Sequence, residues 1–164
     1  MNEREIAMNE REIAMNEGVS DQGRIGRFDD RNVQWMPYPG VDGMHVSILH
    51  VDEAKNIVDF LIKFAPNTKS VVHHHLAMTH ILVIEGDHVI YEPDGTVRET
   101  RPIGRYTAGL GGDPHDEGGG PDGAVIFYSV RGDSDALFEV NDSAGSAPSV
   151  VRTADFNAFL GVAA

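Results

Sequence analysis

Residues 71–86 read VVHHHLAMTHILVIEG. Four histidines, His73, His74, His75 and His80, sit among β-branched and apolar residues there. Successive side chains of a strand point to opposite faces, so His73 and His75 face together and His74 faces away. An H-x-H pair on one strand can bring two imidazole nitrogens to about 2.0–2.1 Å from a single metal ion. A third ligand must then come from another strand. His115 is the candidate, lying after the turn Gly111-Gly112-Asp113-Pro114 and ahead of an apolar run at 124–130. If 71–75 and 79–85 are neighbouring strands joined by a short turn, His80 returns to the same site as a fourth ligand.

Outward from this stretch the chain reads as β structure. Short apolar or β-branched segments occupy 44–51, 56–64, 71–75, 79–85, 88–92, 96–100, 124–130 and 136–140. Turn signals separate them, among them Asp42-Gly43, Gly86-Asp87, Pro93-Asp94-Gly95, Gly118-Gly119-Gly120-Pro121 and Arg131-Gly132-Asp133. Short strands with turns at such intervals predict an all-β sandwich or barrel. One helix is expected near the end, capped by Thr153, with Phe156, Phe159 and Leu160 on one face. It is expected to pack on the outside of the β structure.

Composition narrows the function. The chain has 164 residues and a formal net charge of −13. That field repels phosphate, so nucleic acid and anionic membrane surfaces are not expected partners. There is no cysteine, which excludes disulfides and thiolate metal sites. No apolar run approaches the length of a membrane span, and the acidic start does not resemble a secretion signal, so a cytoplasmic protein is expected. Residues 1–7, MNEREIA, repeat at 8–14, and MNE opens a third copy at 15–17. Met8, Ile13 and Ala14 fall at about 0°, 140° and 240° around a helix, so no coiled-coil seam forms. Residues 1–17 are therefore expected to be a disordered tail, leaving 18–164 as one domain.

The stretch 73–86, with His73, His75, His80 and Gly86 in register, resembles the first motif of the cupin superfamily. Gly104 to His115, with Pro114, is similar to the second. Trp35-Met36-Pro37-Tyr38-Pro39-Gly40 and Phe64-Ala65-Pro66-Asn67 extend the likeness to one branch of that superfamily. The branch holds acetylacetone-cleaving dioxygenases, dihydroxyacetophenone dioxygenases and the cupin domains of anti-sigma factors. The resemblance covers roughly residues 33–140 and implies a double-stranded β-helix (an RmlC-like jelly-roll barrel) with a short C-terminal helix. It also implies a homodimer or higher homo-oligomer, with residues 18–38 lending an edge strand.

Two departures from that branch bear on chemistry. His80 stands where the first motif usually carries glutamate. Tyr91 and Gly109 stand where the acetylacetone-cleaving enzymes carry an arginine and a glutamate near the metal, which points away from acetylacetone and toward a larger ketone. Four neutral imidazoles, His73, His75, His80 and His115, leave a divalent ion its full charge, which attracts enolate or phenolate oxygen. One transition metal per chain is expected: Fe2+ first, with Zn2+, Ni2+ or Mn2+ as alternatives. With iron, the resemblance implies dioxygenase cleavage of a carbon–carbon bond in a small β-diketone or hydroxyketone. The alternatives are a metal-bound cupin that binds or senses a small ligand without turnover, and a lyase or isomerase using the ion as a Lewis acid. Tyr91, Arg105 and Tyr106 are candidates to orient substrate or move a proton. Asp116 or Glu117 is a candidate to accept the free N–H of a ligating imidazole.

Overall fold

The computed structural model describes residues 28–110, 112–141 and 147–160. The tandem repeat at 1–17 lies outside the described residues. The chain divides into two units, residues 1–30 and 31–164, and the fold below is that of the second.

Ten strands are found among the described residues: β1 Met36–Pro37, β2 Met44–Asp52, β3 Ile57–Phe64, β4 His73–His75, β5 Met78–Tyr91, β6 Val97–Pro102, β7 Tyr106–Gly109, β8 Asp116–Arg131, β9 Ala136–Val140 and β10 Ser149–Arg152. A 3-10 turn, Thr153–Phe156, leads into the one-turn helix α1, Asn157–Leu160. A seven-stranded sheet runs β1-β2-β3-β8-β5-β6, with β7 also on β5. A three-stranded sheet runs β10-β9-β4. All pairings are antiparallel. This is the all-β barrel that the alternating segments and the resemblance imply. Among the described residues, no helix is long and apolar enough to cross a membrane.

Two expected boundaries disappear. The segments 79–85 and 88–92 are one strand, and the Gly118-Gly119-Gly120-Pro121 run lies inside β8 rather than in a turn. Both long strands bend at the same place. Gly119 pairs with His88 and Ala124 with Gly86, so residues 120–123 bulge opposite Asp87. Gly86 and Gly123 both have positive φ, +68° and +79°, and a Cβ on Gly86 would lie 2.1 Å from the Gly123 carbonyl oxygen. A side chain at 86 is therefore excluded, and the bend can form only because none is there.

The core fills the space between the sheets. Phe60 on β3 stacks on Tyr128 of β8, centroids 5.0 Å apart, and meets Phe156 at 5.4 Å and Phe138 at 6.5 Å. The C-terminal turn thus sends Phe156 inward, while α1 itself has no buried residue. Phe156 is buried in the main core cluster, and Phe159 packs against that cluster and stacks on Tyr38. Both rings line the interior cavity.

Candidate metal centre

The site lies on the seam between the sheets. β4 pairs with β9 of the small sheet, in the register His73↔Val140, His74↔Glu139 and His75↔Phe138. On its other side His73 forms a two-way backbone bridge with His115, each hydrogen bond 2.9 Å long. Residues paired across an antiparallel ladder project to the same face. His73 and His115 therefore point together, and alternation adds His75 and removes His74. His73 and His75 are buried, while His74 lies on the other face with its Nε2 3.6 Å from Glu139.

The three rings converge. Their centroids are 4.8 to 5.2 Å apart, and one ring nitrogen from each lies within 4.8 Å of the others. Hydrogen bonds settle which nitrogens are free. The Nδ1 of His73 donates to the Val71 carbonyl oxygen at 2.8 Å, and that of His115 to the Asp113 carbonyl oxygen at 3.1 Å. The Thr79 hydroxyl donates to the Ala77 carbonyl oxygen at 3.1 Å, so it accepts from His75 Nδ1 at 2.8 Å. Each ring carries its proton on Nδ1, which leaves the Nε2 lone pair for a metal. Burial, and then repulsion from His73, push the His75 imidazolium down to about 3, and the same two causes lower His115. Neutral imidazoles with converging lone pairs fit a divalent transition ion, and imidazole suits iron, zinc, nickel and copper alike.

His80 is not part of this group. β4 does not pair with β5; Leu76 and Ala77 carry the chain across to the large sheet. Along β5, Thr79, Ile81 and Val83 are buried, whereas Leu82 is exposed and His80 half-buried. One residue separates the inward face from the outward one. Thr79 holds His75, and His80 Nδ1 instead meets the Tyr106 hydroxyl at 2.7 Å on the outer face.

The three residues expected to handle substrate do not reach the centre. Tyr106 pairs with Leu82 and shares its outward face, while Thr107 points in. Arg105 is exposed, and its carbonyl accepts from Val83 N–H. Tyr91 lies under Lys69, whose Nζ is 3.7 Å from the ring centroid. Arg101, which sequence reading passed over, does line a recess beside the trio and is held there by Glu99 at 2.8 Å. Pairing with His88 puts Arg101 on the inward face.

Two spaces adjoin the histidines. A polar recess of about 160 Å³ is bounded by His75, Thr79, Arg101, Thr107 and His115. An apolar cavity of about 90 Å³ is bounded by His73, Glu117, Tyr128, Phe60, Phe138 and Phe156 among others. Glu117 is the one acid on its wall. The acid pair 116–117 does not serve His115 as expected, since the Nδ1 of that ring is taken by Asp113. Asp116 accepts from the Ser70 hydroxyl at 2.9 Å. Glu117, 3% exposed, accepts from His88 Nε2 at 2.8 Å and lies 3.8 Å from His73 Nε2. Burial pushes its carboxyl up, but the His88 hydrogen bond and the surrounding imidazoles outweigh that and hold it below the ordinary carboxylate range. The two-residue spacing of His115 and Glu117 is the signal that could have placed this acid inside the barrel.

Solved structures of similar fold agree with this architecture. A putative acetylacetone dioxygenase from Methylibium petroleiphilum PM1 aligns with a TM-score of 0.63 and 18% identity, over 86% of this chain and 96% of that one. An acetylacetone dioxygenase from Acinetobacter johnsonii aligns at 0.65 and 14%, over 86% and 93%. An RmlC-like cupin protein from Ralstonia eutropha JMP134 aligns at 0.65 and 18%, over 84% and 85%. No curated protein matches the chain. Residues 26–133 match the family described as the ChrR cupin-like domain, which is most of the barrel, and the chain belongs to that family.

Proposed function

We propose that this cupin is a metal-dependent dioxygenase that cleaves a carbon–carbon bond in a small β-diketone or hydroxyketone. The observation that carries the reading is the set of three Nε2 lone pairs, from His73, His75 and His115, fixed by hydrogen bonds at each Nδ1. The similarity in fold to the acetylacetone dioxygenase of Acinetobacter johnsonii supports it. A bound Fe2+ supplies Lewis acidity toward a carbonyl or enolate oxygen and the capacity to react with O2.

The chain's own residues do the rest. Val71, Thr79 and Asp113 hold the imidazoles in one tautomer, and the edge of Phe138 packs on the His73 and His75 rings at 6.2 and 5.1 Å. Arg101 and Thr107 offer donors to a ketone or enolate oxygen in the polar recess. Phe60, Phe138 and Phe156 exclude water on the other side. For a β-diketone the balance is one O2 consumed, one bond between carbonyl and central carbon broken, and a carboxylic acid plus a 2-oxoaldehyde released.

Oxygen uptake by Fe2+-loaded protein with a panel of β-diketones and hydroxyketones tests this. Uptake with at least one ketone, lost on His115→Ala, is expected. No uptake by protein that does hold iron overturns the dioxygenase and leaves binding without turnover, or Lewis-acid chemistry, as the function of the site.

A further inference from the structure

We propose that the ketone taken by this site carries one carboxylate, bound by Arg101 in the polar recess beside the histidines. This deepens the reading of His73, His75 and His115 as a metal centre acting on a ketone, and rests on it.

The recess has a charge opposite to that of the chain. The formal net charge is −13, yet no acid is found among the described residues that bound the recess. Arg101 is the one residue on its wall with a permanent charge. A small anion, repelled by the acidic chain as a whole, is attracted here. A divalent ion on His75 and His115, which share the wall, adds to that attraction.

Glu99 does not cancel Arg101. It meets the guanidinium through a single oxygen, Oε2, at 2.9 Å from Nε and 2.8 Å from Nη2. That takes two of the five N–H donors and leaves Nη1 outside the pair. The Glu99 side chain is 40% exposed and that of Arg101 18%, so water screens the acid more than the base. A second cation also acts on this acid. The hydrogen bond from Arg101, and then the charges of Arg101 and Arg105, hold the Glu99 carboxyl below its ordinary range against the effect of burial. Two arginines against one glutamate leave one positive unit for a ligand. A carboxylate carries one negative unit, and its two oxygens match two parallel N–H groups of a guanidinium. A ketone oxygen brings no charge, so the acid is the better match for Arg101. Thr107, on the same wall, remains for the ketone oxygen.

The test uses 2,4-dioxopentanoate and its methyl ester, two β-dicarbonyl probes that differ in the free carboxylate. Calorimetry on the full chain loaded with Zn2+, which has no redox chemistry, gives both Kd values without turnover. Wild type should bind the acid at least about tenfold more tightly than the ester. In Arg101→Met the two Kd values should agree within about twofold. If Arg101→Met does not fold, Arg101→Lys, which keeps a cation but not the planar fork, should cut the ratio at least about threefold. A ratio near one in wild type, or wild type that binds neither probe, overturns the proposal. So does a ratio unchanged by either substitution, because the ion and not Arg101 then holds the carboxylate. Oxygen uptake by the iron form separates this inference from the dioxygenase. An Arg101-dependent preference for the acid, with no uptake, supports the carboxylate site and overturns the dioxygenase. Uptake with neutral diketones, and no preference for the acid, overturns this inference alone. Wild type that binds no Zn2+ overturns the histidine centre and this inference together.

Discussion

His73 and His115 exchange backbone hydrogen bonds in both directions across the seam between the two sheets, each 2.9 Å long. The same ladder contact that closes the barrel therefore aims both imidazoles at one point. His73 is held on its other side by β9, through its pairing with Val140.

The first prediction separates the two faces of β4. His115→Ala should abolish binding of one divalent ion per chain. His74→Ala should leave the stoichiometry at one, since that ring lies toward Glu139. Metal analysis after chelator treatment and reloading checks both.

The second concerns neighbouring residues on β5. Thr79→Val removes the acceptor that fixes the His75 tautomer, and should weaken metal binding by about 10–100-fold. His80→Ala should change it less than twofold, because that ring is hydrogen-bonded to Tyr106 outside the barrel. Titration with Co2+ measures both, and equal losses would contradict the assigned strand faces.

These pairs show what was legible in the sequence. The H-x-H alternation put His73 and His75 on one face, and period two assigned His74 to the opposite face. His115, proposed from its position after a glycine-rich turn, does converge with those two rings. His80 was misplaced because sequence gives the length of a connection but not the strand's phase: Leu76 and Ala77 form a crossover, which puts Thr79 inward. Arg101 and Glu117 were missed or misassigned for a related reason. Arg101 faces inward only through its pairing with His88 on β5, and His88 is buried because bulges between Val83 and His88 change the phase of that strand. A glycine run was read as a turn because a bulged strand and a loop share the same composition.

The bend in the long strands gives a stability prediction. Gly86→Ala forces a Cβ onto the Gly123 carbonyl at a positive φ. It should cost at least about 2 kcal/mol. Gly104→Ala also sits at positive φ but meets nothing within 4 Å, and should cost less. Urea denaturation of the three proteins ranks them.

Metal-free protein should lose stability in acid. His75 titrates near its ordinary value of 6.5 when unfolded and at about 3 when folded. Between those values the unfolded chain takes up the proton and the folded chain does not, so stability falls as pH falls through that window. Glu117, held below its ordinary range, acts in the same direction at the acid end. Melting temperatures of the metal-free protein at pH 7, 5 and 4 should fall in that order, with a smaller drop in His75→Gln.

The most direct measurement is anomalous diffraction from crystals grown with Co2+. The account predicts one strong peak per chain within bonding distance of the Nε2 atoms of His73, His75 and His115. A fully loaded crystal with its peak elsewhere, or with any of the three imidazoles turned away from it, would contradict it.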